Sequence, residues 1–93
     1  MVVSAVATID LSVSWQINDH VSVRDEAFGA LAYHHDTRRL VFLKSVTLVE
    51  LVRRLAEFSS AHDALCALVA PEEHDRYAAA LASLSRSEII HGR

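Results

Sequence analysis

An α+β fold, in which a three-stranded antiparallel sheet is followed by a three-helix bundle, is predicted by three features of this chain of 93 residues. Apolar residues alternate with a rough period of two from Trp15 to Leu43. From Leu48 onward they recur at helical spacing. Each of the helical stretches also carries a recognisable start signal.

The first strand is expected over residues 15–23. Trp15, Ile17, Val21 and Val23 keep period two, and Asn18-Asp19-His20 forms a bend or bulge within it. Asp25-Glu26 interrupts the run. Residues 27–34 alternate next, with Phe28, Ala30 and Ala32 on one face and Gly29, Leu31 and Tyr33 on the other. Gly29 marks a close approach or a bend. His35-Asp36-Thr37 is a polar turn of hairpin length, and residues 38–43 are the return strand. Three such strands are stable once helices cover one face.

The chain then passes directly into a helix. Thr47 with Glu50 reads as a capping box, and Val46 with Leu51 as its hydrophobic staple. Leu48, Leu51, Val52, Leu55 and Phe58 form the inner stripe, opposite Glu50, Arg53, Arg54 and Glu57. Ser60 followed by Asp63 starts a second helix with Ala61, Ala64, Leu65, Leu68 and Val69 inward. Pro71 opens the third, where its missing N–H costs nothing, and Glu72, Glu73 and Asp75 complement the helix dipole. Tyr77, Ala80, Leu81 and Leu84 are its inner stripe, with Arg86 near its end. Gly92 comes too late to cap it, and Ile89-Ile90 is expected to fold back on the bundle. The folded domain is expected over residues 15–90, with residues 1–14 a tail or leader strand and residues 91–93 a C-terminal tail.

Composition narrows function. A chain of this size makes one small domain with a modest core. No apolar run approaches the ~18–20 residues of a membrane span. The N-terminus has no basic region ahead of its apolar residues and contains Asp10, so it reads as no signal peptide, and a cytoplasmic location is expected. Cys66 is the single cysteine, which excludes an internal disulfide and suits a reducing compartment. A net charge of −3 opposes nucleic acid as the main partner, although Arg38, Arg39 and Lys44 make one local basic patch. His34 and His35 point to opposite faces of a strand, and His20, His62, His74 and His91 are scattered, so the histidines read as solvated or turn residues and no metal or other cofactor is expected. There is no phosphate loop and no nucleophile motif. Cys66 reads as a packing thiol without a basic neighbour. No enzyme is expected.

What remains is the strand of residues 38–43. It is apolar, and no later segment looks able to pair with it. An open apolar edge invites another polypeptide to add to it. Leu40 and Phe42 share one face and Val41 and Leu43 the other, so the inward pair can line a groove whose far wall is the third helix. The same edge would also be satisfied by the chain's own N-terminal tail or by a second copy. Replacing Val41 with Pro is expected to weaken strand addition if the Val41 N–H faces the guest.

The blocks RDEAFGALAYH and RRLVFLKS, the upstream Trp15 and the following helix with Leu48, Leu51, Val52 and Leu55 strongly resemble the mycofactocin precursor-peptide-binding chaperones, a group within the PqqD-like RiPP recognition elements. The resemblance spans about residues 15–90. It implies a winged-helix-like domain without catalytic activity, which holds the leader of a ribosomal precursor peptide and presents it to a radical SAM maturase. It further implies that the leader adds as an antiparallel strand along Arg38, Arg39, Leu40, Val41, Phe42 and Leu43, opposed by Arg76, Tyr77, Ala80, Leu81 and Leu84 of the third helix. Two other readings compete. A winged-helix DNA-binding domain is opposed by the acidic start of the third helix and by a hairpin that precedes the helices. A self-associating module would pair edge to edge across a two-fold axis, giving a homodimer.

Overall fold

A computed structural model of the chain describes residues 9–92; the greater part of the expected N-terminal tail lies outside them. The chain folds as eight named elements: β1 (Trp15–Ile17), β2 (Val21–Glu26), β3 (Gly29–His34), β4 (Leu40–Leu43), α1 (Val46–Arg54), α2 (Ala61–Leu68), α3 (His74–Arg86) and β5 (Ile90–Gly92). Short 3₁₀ turns at Leu55–Glu57 and Pro71–Glu73 follow α1 and precede α3. The α+β class holds: β2, β3 and β4 form a three-stranded antiparallel sheet in that spatial order, packed with three helices.

The first predicted strand is divided between two sheets. β1 leaves the meander and pairs antiparallel with β5, Trp15 opposite Gly92 and Ile17 opposite Ile90. The division falls at Asn18, whose side-chain oxygen accepts from the His20 N–H at 2.9 Å while its carbonyl accepts from Val21 at 2.9 Å. That turn redirects the chain, where period two alone suggested a bulge. β5 takes in His91 and Gly92, two of the three residues expected as a tail. Ile89 and Ile90 do fold back and are fully buried.

Asp25 and Glu26, expected to end a strand, continue β2 to the hairpin, and the turn is Ala27-Phe28 between Glu26 and Gly29. Phe28 therefore lies off the Ala30 face and is 44% exposed. Gly29 has φ +149, and a Cβ there would collide with the carbonyl oxygen of Leu43, so only glycine lets β3 and β4 approach at this end.

Ser45 rather than Thr47 caps α1. It is extended, and its Oγ accepts from the Leu48 N–H at 2.9 Å. Glu50 pairs with Arg54 at 3.2 Å instead of reaching back to a cap, and Val46 is 76% exposed, so no staple to Leu51 forms. The α2 start is as read: Ser60 Oγ accepts from Asp63 N–H at 3.0 Å. α3 ends in a Schellman motif, with Ile89 N–H donating to Leu84 O and Glu88 N–H to Ser85 O, and Glu88 takes the left-handed position (φ 62) where glycine is usual.

The core lies between the sheet and the helices. Ala30, Ala32 and Leu43 from the sheet meet Val49, Leu51, Val52 and Leu55, Ala61, Ala64 and Leu65, and Tyr77, Leu81 and Leu84. Val21, Val23 and Val41 are partly buried against it. The opposite face of the sheet, carrying Ser22, Arg24, Leu31, Tyr33, Leu40 and Phe42, has no helix on it.

Candidate functional site

β4 is an edge strand, and the sheet's register fixes what that edge offers. β3 and β4 pair Ala30 with Leu43, Leu31 with Phe42, Ala32 with Val41 and Tyr33 with Leu40. The His34 N–H donates to Arg39 O at 2.9 Å, which makes 34/39 a hydrogen-bonded pair. Alternation then assigns the inward bonds to 32/41 and 30/43, and turns the N–H and C=O groups of Leu40 and Phe42 outward. Among the described residues no strand pairs with that outer side. The Val41 N–H thus faces β3, so a proline there tests the sheet and not the free edge.

The loop entering β4 is held from below. His34 is buried, and its Nδ1 accepts from the N–H groups of both Asp36 and Thr37 at 3.2 Å. The loop closes with Arg38 N–H donating to His34 O at 2.8 Å and with Arg38 at φ 65. A left-handed arginine is unusual, since only glycine, asparagine and aspartate visit that region readily.

Apolar groups surround the edge. Leu40 and Phe42 are 51% and 54% exposed on the helix-free face. Phe28 stands edge-on to Phe42 with ring centroids 5.8 Å apart, and Lys44 Nζ lies 5.9 Å from the Phe42 centroid. These three residues line an open hollow of about 460 Å³. Sequence reasoning placed Lys44 in the basic patch around β4 but missed Phe28 as its neighbour. The signal was present in the alternation, once Ala27-Phe28 is placed in the turn.

On the helical side, Lys44, Ser45, Leu48, Arg76, Tyr77 and Ala80 line a hollow of about 130 Å³. Ser45 Oγ and Tyr77 Oη lie 3.1 Å apart, tying the end of β4 to α3. Arg76 is exposed, bonded to Glu73 at 2.9 Å, with its guanidinium carbon 5.5 Å from the Tyr77 ring centroid. The structure therefore brings Arg76, Tyr77 and Ala80 beside the end of β4. Leu43, Leu81 and Leu84 are buried in the core, Val41 is half-buried, and Arg38 and Arg39 are exposed.

No group of three or more His, Cys, Asp or Glu residues able to hold a metal is present among the described residues. No described helix is long and apolar enough to cross a membrane.

Comparison with known proteins identifies the family of the chain. A family model described as the peptide chaperone MftB family matches residues 14–91. The chain is similar to the peptide chaperone MftB of Mycolicibacterium smegmatis, 46% identical over 84 residues, covering 89% of this chain and 82% of the relative. It is 42% identical over 77 residues to the protein of that name from Mycobacterium ulcerans, and 36% identical over 77 residues to that of Mycobacterium tuberculosis. Each of these two alignments covers 82% of this chain and 71% of the relative. No solved structure matches the chain.

Proposed function

Because the chain belongs to the peptide chaperone MftB family, we propose that it binds the leader of a ribosomally made precursor peptide as an added antiparallel strand on β4, and presents it to a radical SAM maturase in mycofactocin biosynthesis. The protein has no catalytic step of its own in this reading. It holds one substrate for an enzyme that works in the reducing cytoplasm.

One observation carries the reading: the backbone groups of Leu40 and Phe42 point outward from an apolar edge that no described strand covers. Magnitudes set what else is needed. Two N–H and two C=O groups offer up to four bonds, each netting ~0.5–1.5 kcal/mol. Ordering a flexible peptide costs several kcal/mol, whereas micromolar affinity requires about 8 kcal/mol. Backbone pairing alone is insufficient. Buried apolar side chains add ~1.5–3 kcal/mol each, and Leu40, Phe42 and Phe28 are exposed where guest side chains would arrive. Guest residues opposite Val41 and Leu43 turn to the other side, toward the small hollow of Arg76, Tyr77 and Ala80. Leu81 and Leu84 shape that wall from within the core.

The test is a titration of the labelled protein with a precursor peptide encoded beside its gene, a short reading frame ending in Val-Tyr. Amide resonances of residues 40–43 should shift most, with 1:1 stoichiometry. Saturation that leaves those amides unmoved while others respond would sink strand addition on β4.

A further inference from the structure

The charges around β4 specify more than an extended guest. Four basic residues of this net-negative chain are neutralised locally. Arg24 pairs with Glu26, Arg53 with Asp25, Arg54 with Glu50 and Glu57, and Arg76 with Glu73. Arg38, Arg39 and Lys44 make no ion pair among the described residues. These three bracket β4, two at its start and one at its end. Arg39 and Lys44 are five positions apart, roughly 16 Å along a strand. Arg38 moreover holds its place at φ 65, a conformation in which glycine would be relaxed. Backbone strain retained at an exposed position is a reason to look for function there.

The same cations oppose a second copy as the occupant. Antiparallel pairing of two β4 strands across a two-fold axis, with Leu40 opposite Phe42, sets Arg38 of one chain opposite the copy's Lys44. Like charges directly opposite destabilise such a pair. A guest with carboxylates at both ends of its paired segment meets no such cost and gains on association rate as well.

We infer that β4 selects an extended segment in which aliphatic or aromatic residues at alternate positions are bracketed by acidic residues about five positions apart, read by Arg38, Arg39 and Lys44. This rests on strand addition at β4 and adds the chemistry of the guest. Two carboxylates suffice, one near Arg38 and Arg39 and one near Lys44, so the pattern works in either strand direction.

The experiment selects binders from a displayed library of random twelve-residue peptides on the full chain, then titrates synthetic copies of the winners. Enriched peptides should carry Asp or Glu at both ends of an alternating apolar stretch and should shift the Leu40 and Phe42 amides. Replacing their acids with Asn or Gln should weaken binding roughly fivefold to tenfold at low salt, a difference that fades at about 0.5 M salt. Selection on a folded Arg39→Glu/Lys44→Glu variant should switch the flanks to Lys and Arg. Winners that shift Leu40 and Phe42 without any charge preference would overturn the inference and leave strand addition standing. Acidic winners that shift residues elsewhere, or a library without binders, would count against strand addition itself. A dimer through β4 that persists at low salt would overturn the repulsion argument.

Discussion

The sheet has two outer strands, and they manage their exposed backbone in opposite ways. β2 carries Arg24, Asp25 and Glu26 along its length. Its Val21 N–H is taken by Asn18 O at 2.9 Å. Arg53 reaches across from α1 to Asp25 at 2.7 Å and to Val23 O at 3.4 Å. Charge, a turn and a covering arginine are the usual means of blunting an edge. β4 reads Leu-Val-Phe-Leu, with two outward residues more than half exposed and cations only at its ends. Both edges belong to one sheet of one small domain, so the physics of folding does not require β4 to be open. The contrast supports the proposal that the guest peptide adds to the strand left unprotected.

That contrast can be broken in four ways. Replacing Gly29 with Val should destabilise the fold by ~3 kcal/mol or more, because the new Cβ meets the Leu43 carbonyl and φ +149 excludes a branched side chain. Denaturant unfolding reads this directly, and an unchanged midpoint would mean that β3 and β4 are not locked at this end. Proline at two adjacent positions of β4 separates the two sides of the strand. Val41→Pro removes an inward ladder bond and should cost about 2 kcal/mol of stability. Phe42→Pro removes an outward N–H and should cost less stability, yet weaken peptide binding at least ~10-fold. Equal stability losses for the two would show the ladder phase to be reversed.

Arg53→Ala uncovers the β2 edge and should cost ~0.5–1 kcal/mol, since the ion pair it breaks is solvent-exposed. Hydrogen exchange should quicken at residues 23–25 while peptide affinity at β4 stays within about twofold. A loss of affinity would mean that the two edges are coupled. Last, Arg38→Gly should stabilise the domain by up to ~1 kcal/mol, as the loop conformation suits glycine, and should still bind an acid-flanked peptide less well. Gains in both stability and affinity would remove any role for the Arg38 charge.

Much of this was legible in the residues. The three-stranded sheet, the open strand at Leu40–Leu43 within the expected residues 38–43, the Ser60 cap and the inner stripes of the helices follow from periodicity and local hydrogen-bonding chemistry, whereas Arg38 and Arg39 fall in the loop before that strand. The rest depended on partners far along the chain. Nothing around Trp15 indicates that its strand pairs with Ile90–Gly92, because β5 is too short to carry a periodic signal and lies 75 positions away. The α1 cap was displaced by two residues because Ser45 and Thr47 are both competent acceptors, and the geometry at the end of β4 chose the first. At the site, alternation divided Leu40 and Phe42 from Val41 and Leu43, but the direction of each N–H required the 34/39 bond that sets the ladder phase. Among the described residues, most of the ion pairs that leave Arg38, Arg39 and Lys44 as the cations without a carboxylate partner around β4 are local, at separations of two to four residues, and Arg53 with Asp25 alone depended on the fold.

The β1–β5 ladder has a practical consequence. It sets Trp15 directly opposite Gly92, with paired Cα atoms only ~4.5–5.5 Å apart, while the residues before Trp15 run on to α2, where Val13 O accepts from Ala61 N–H and Leu11 O from His62 N–H at 2.9 Å. A linker that runs from Gly92 to residue 9 and keeps residues 9–14 in place would permit circular permutation, with new termini opened at Ala70-Pro71 between α2 and α3. With such a linker the domain is equally suited to insertion as a cassette within a surface loop of another protein, while β4 keeps its own reach into solvent.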